Sequence, residues 1–84
     1  MEPRAKVFAE EAIRALGRLD VAAARTSISE AFEVDPKIGA LADVVNLACT
    51  EIEEENAVST ATWNTLADAV DSSELLAVVE ISRT

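Results

Sequence analysis

From Ile38 to Ile52, the residues Ile38, Leu41, Ala42, Val45, Ala48, Cys49 and Ile52 return every three or four positions. An α-helix gathers such positions on one side, whereas a strand would turn about half of them towards water. A helix is therefore predicted over residues 37–55, and its apolar stripe requires the rest of the chain to cover it. Val44 and Leu47 lie beside the stripe and widen it. So broad an arc either sits between two neighbours in the fold or leaves surface for a partner.

What surrounds this helix is punctuated by few breakers, since the 84 residues hold two glycines and two prolines. Asp35-Pro36 ends one helix and starts the next: proline disfavours helical geometry in the residue before it and is at home in a first turn, with Asp35 as cap. Glu2-Pro3 opens a first helix to about Arg18, with Phe8, Ala12, Ala15, Leu16 and Leu19 on one face. Asp20 is placed to cap a second helix carrying Val21, Ala24, Ile28, Ala31 and Phe32. Ser59 or Thr60 can cap a fourth, on which Trp63, Leu66, Ala67 and Val70 share a face.

After the Asp71-Ser72-Ser73 break, Leu75–Ile81 has the β-branched content of a strand. A lone strand has nothing to pair with in a helical protein, so a fifth helix is expected; a strand would instead imply pairing between two chains.

The expectation is an all-α fold, a compact bundle of four to five short helices in a single domain over residues 1–84. Residues 1–36 form an antiparallel hairpin, 37–55 the third helix and 59–84 the C-terminal helices. The core expected from the stripes is Phe8, Ala12, Leu16, Ala24, Ile28, Phe32, Leu41, Val45, Ala48, Ile52, Trp63, Leu66, Val70, Leu75 and Val79. Truncating Phe32 or Ile52 to Ala should then cost about 2–5 kcal/mol.

Charge and inventory exclude much chemistry. There is no histidine, the commonest general base and metal ligand. Gly17 and Gly39 stand alone, so no glycine-rich phosphate loop exists. The single cysteine, Cys49, lies on an apolar stripe, as a small buried thiol does, and cannot form an intrachain disulfide. An enzyme is not expected, and no cofactor or metal site is identified.

A reducing, cytoplasmic location suits the lone thiol, and no apolar stretch approaches the roughly 20 residues of a membrane helix. The richness in Ala and Val, with five Arg to two Lys, points to a GC-rich bacterial genome.

The formal charge is −9, and residues 39–84 hold nine acidic residues against Arg83 alone. Such a field repels nucleic acid and anionic membranes and draws in basic partners. Two further helical classes fit the chain less well. Asp71-Ser72 before Glu74-Leu75 is similar to the attachment serine of acyl carrier proteins, but only residues 73–84 follow it, too few for the remaining helices. The last two helices have the layout of a helix-turn-helix, yet the second would present Glu74 and Glu80 to DNA phosphates.

Residues 5–38 resemble a single tetratricopeptide repeat, a helix pair of about 34 residues. Leu19-Asp20-Val21-Ala22-Ala23-Ala24 resembles the turn and start of its second helix, and Ala31-Phe32-Glu33-Val34-Asp35-Pro36 its ending. Phe8 falls at the family's large aromatic, and Ala12 and Ala24 at its small interface positions. Glu11 stands where Leu is usual and Leu19 where Gly is common, and the frame does not continue past the first repeat. The resemblance implies a scaffold that holds a peptide or helix of another protein in a groove.

Together these readings predict a protein–protein interaction module or adaptor, in one version self-associating as a homodimer. The alternative is an acidic regulator that sequesters a basic or nucleic-acid-binding protein. Its partner is expected to be a protein, with no direct nucleic-acid or membrane binding. The residues singled out for the partner are Val44, Leu47, Glu51, Glu54, Glu55 and Trp63.

Overall fold

A computed structural model describes all residues, 1–84, as five helices with no strand. Helix α1 spans Pro3–Gly17, α2 Val21–Val34, α3 Gly39–Glu55, α4 Thr60–Ala69 and α5 Ser73–Ser82, with one 3-10 turn at Pro36–Ile38 before α3. The chain is an all-α bundle, and the ambiguous C-terminal segment is helix.

Four of the five helices begin where a side chain can take their open amides; α3 instead continues from the 3-10 turn with no side-chain cap. The Glu2 carboxylate accepts from the Arg4 and Ala5 amides, Asp20 from Ala23 at 3.1 Å, Ser59 from Thr62 at 3.1 Å and Ser72 from Leu75 at 3.2 Å. Asp35 has a third role besides ending α2 and capping the turn after it. One carboxylate oxygen accepts from the Lys37 amide at 3.1 Å and the other from the Glu2 amide at 3.0 Å, which ties the start of α1 to the α2–α3 corner.

The α1–α2 corner is tighter than its sequence suggests. The Asp20 amide donates to the Ala15 carbonyl at 2.9 Å and the Leu19 amide to Leu16 at 3.1 Å, the paired bonds of a Schellman motif. Leu19 sits at its left-handed position, with φ of 59°. It therefore points off the end of α1 and is 41% exposed, instead of continuing the α1 stripe.

α1 and α2 form a close antiparallel hairpin. Ala5, Ala9, Ala12, Ala15, Ala24 and Ala31 are fully buried, and side chains this small let the two backbones approach. α3 packs on α2, α4 on α3, and α5 returns to lie against α1. One core joins all five helices, with Ile13, Leu16, Ile28, Leu41, Val45, Leu66, Leu75 and Val79 its largest enclosed side chains.

Three expected core residues lie elsewhere. Phe8 and Val70 are only half-buried at the margin, and Phe32 is 43% exposed. On α2 the inward positions are taken by Ala24, Ile28 and Ala31, which leaves Phe32 one step round the helix, at the edge. α1 likewise turns Ala5, Ala9, Ala12 and Ile13 inward, and Phe8 lies beside that seam.

Candidate docking site

α2 and α3 run antiparallel, and their seam is closed at one end and open towards the other. At the closed end Arg25 reaches across from α2, its guanidinium 2.8 Å from a Glu53 oxygen and 3.4 Å from the Asn46 side-chain oxygen. At the open end the Phe32 ring lies over Gly39, where a Cβ would meet the ring at 3.8 Å. Between them the helices leave a groove of about 440 Å³ lined by Ile28, Ser29, Phe32, Glu33, Gly39, Ala42, Asp43 and Asn46. The groove exists because short side chains face one another along the seam: Gly39 and Ala42 on α3, Ser29 on α2. Ile28 and Ala42 are buried beneath it, and the exposed part of Phe32 is its largest apolar surface.

The walls are negative. Glu33 and Asp43 are exposed and make neither an ion pair nor a side-chain hydrogen bond. Arg25, at the closed end of the seam, is already engaged by Glu53. Of the cations outside any ion pair, Arg4 lies on α1, and Lys37 lines a different hollow beside Met1 and Asp71.

The chain matches no family model, no curated protein and no solved structure.

The residues singled out from the sequence are not brought together at this groove. Val44 is half-buried and Leu47 is 51% exposed, on the neighbouring side of α3. Trp63 is 8% exposed, turned inward with Thr62 and Leu66 as the core anchor of α4, so its ring offers a partner almost nothing. Glu54 and Glu55 are exposed at the end of α3.

Glu51 holds the molecule together instead of facing a ligand. Its carboxylate accepts from the Thr62 hydroxyl at 2.7 Å, the Ser59 amide at 2.9 Å and the Ser59 hydroxyl at 3.3 Å. Partial burial pushes its acidity the other way, but the hydrogen bonds from Thr62 and Ser59 outweigh it and hold the carboxyl below the usual glutamate range. Thr62, the one buried polar residue, is thereby satisfied.

The groove residues Phe32, Glu33, Asp43 and Asn46 escaped the sequence reading because Phe32 fits the α2 stripe by spacing. The available signal was Ala31: a side chain this small suits the close α1–α2 hairpin, and with Ala24, Ile28 and Ala31 facing inward Phe32 falls at the edge of the stripe.

Cys49 is fully buried, and burial pushes its thiol above the ordinary value, so little thiolate forms. No three His, Cys, Asp or Glu side chains converge as metal ligands do. No helix is long and apolar enough to cross a membrane.

Proposed function

We propose that this chain is a protein–protein interaction module, an adaptor without catalysis of its own, which docks a partner segment in the α2–α3 groove. The observation that carries the proposal is Phe32. It is a large aromatic left 43% exposed at the rim of an open groove, in a protein whose other aromatics are buried or half-buried. Exposed aromatics beside a cleft supply much of the energy in protein recognition. The likeness of residues 5–38 to a tetratricopeptide hairpin supports the same reading, and the lone thiol suits a reducing compartment such as the cytoplasm.

A homodimer through this groove is the homotypic version of the proposal. It is disfavoured by charge, because a two-fold interface would set Glu33 and Asp43 near their own copies.

Selection of a random displayed peptide library on the protein tests the proposal. Enriched peptides should shift backbone amide resonances of residues 28–33 and 39–46 and should lose binding to Phe32→Ser. Shifts confined to Leu47, or to the exposed Leu76 and Ile81 of α5, would move the docking face elsewhere. Failure of any sequence to enrich would remove it.

A further inference from the structure

The carboxylates of this protein divide by role, and the division points to a class of partner. Glu2, Asp20 and Asp35 cap helices, and Glu51 holds the α3–α4 turn. Glu10, Glu11, Glu53, Asp71, Glu74 and Glu80 each face a cation. Glu30, Glu33, Asp43, Glu54, Glu55 and Asp68 have neither role, and of these Glu33 and Asp43 stand on opposite walls of the groove that contains Phe32.

We infer that the groove recognises a basic segment of its partner, a peptide in which an arginine or lysine neighbours an apolar side chain; this rests on the docking proposal above. The apolar residue would lie along Phe32 and over Ile28 and Ala42. The cation would sit between Glu33 and Asp43, where the Phe32 ring adds cation–π attraction. Arginine suits the site better than lysine, because its planar guanidinium can stack on the ring while its edge meets carboxylates. An acidic or neutral segment would leave both carboxylates partly desolvated with nothing to offset the loss.

The complementarity is local as well as global. Arg25 closes the far end of the groove but is engaged by Glu53, and neither Glu33 nor Asp43 pairs with any cation of this chain.

The test uses a short capped peptide of alternating leucine and arginine and a twin in which neutral citrulline replaces arginine, read by amide shifts and fluorescence anisotropy. The arginine peptide should shift residues 28–33 and 39–46, and the citrulline twin should bind about tenfold more weakly or worse. The double variant Glu33→Gln/Asp43→Asn should lose about tenfold in affinity for the arginine peptide, while Glu54→Gln/Glu55→Gln, with the same charge change, should keep wild-type affinity. None of these four side chains makes a hydrogen bond, so both variants should retain the wild-type spectrum away from the substitutions.

Equal binding of the two peptides in the groove would overturn the cationic partner and leave the docking proposal standing. Equal weakening by the two double variants would reduce the effect to net charge and overturn it as well. Shifts absent from the groove with both peptides, while library-selected sequences still occupy it, would overturn the inference alone. If no sequence of any kind occupies the groove, the docking proposal falls first.

Discussion

Leu19 adopts a backbone conformation that glycine ordinarily takes, at φ of 59° in the turn between α1 and α2. For an L-residue this region costs roughly 1–2 kcal/mol, and it removes the usual ranking of Ala over Gly. We expect Leu19→Gly to be more stable than Leu19→Ala by about 1 kcal/mol in urea unfolding, the reverse of the order at a mid-helix site.

Glu51 gives a second residue-scale expectation. Its folded-state acidity is increased, so its contribution to stability is fully present above the unfolded-state value, about 4.3, and is lost as pH falls through the lower folded value. Asp35 acts in the same direction, through the Glu2 and Lys37 amides that hold its carboxyl down. Glu51→Gln should therefore flatten the acid limb of urea midpoint against pH, leaving the slope contributed by Asp35. An unchanged limb would mean that the α3–α4 turn does not depend on the charge. At the groove, Ile28→Ala should cost about 2–5 kcal/mol, as for a fully enclosed side chain. Phe32→Ala should cost only about 1–2 kcal/mol, because much of the ring already meets water. Sequence spacing alone treated these two residues as equals; they differ because the α1–α2 seam admits Ala31 and turns Phe32 outwards.

At the scale of elements, much was legible and for a definite reason. Helix starts are set by local hydrogen bonds, so Asp20 was legible as a cap and Ser59 as one of two candidates with Thr60, and both accept the amide three residues on. Asp35, expected to cap α3, instead caps the 3-10 turn, and α3 starts at Gly39 with no side-chain cap. The helical nature of Leu75–Ile81 followed from the lack of a strand partner. Which helix packs on which was not legible, because it depends on complementary shapes distant in sequence. Gly17 shows this: as a sequence feature it only fails to be a phosphate loop, but in the fold it admits the end of α5. A Cβ on Gly17 would lie 2.7 Å from the Ser82 carbonyl oxygen, too close for either to remain in place. Gly17→Ala gains up to about 1 kcal/mol in helix propensity but overpacks a backbone contact, which typically costs about 1–3 kcal/mol. We expect net destabilisation concentrated in α5, seen as faster amide exchange over residues 75–82 than over α2. Uniform acceleration would show that α5 is not separable from the rest.

At the scale of the whole molecule, charge decides how copies of the protein meet. Exposed large apolar residues occur on α1 (Val7), the first turn (Leu19), α2 (Phe32), α3 (Leu47) and α5 (Leu76, Ile81), spread over separate elements. A stable interface needs about 800 Å² from each partner, and all of the surface that could supply it belongs to a particle of formal charge −9. The extents of the molecule are 32 × 23 × 18 Å. At about 0.01 M salt the Debye length is about 30 Å, so every carboxylate of one copy acts on the whole of another; at about 1 M it is about 3 Å, and only direct neighbours count. Sedimentation equilibrium should therefore find a monomer at low salt across the accessible concentration range, and any self-association should emerge only as salt is raised. A basic partner must show the opposite trend, binding most tightly at low salt and weakening as the field is screened. A dimer that persists at low salt would mean that apolar surface outweighs the charge, and the groove would then have to be sought inside that dimer.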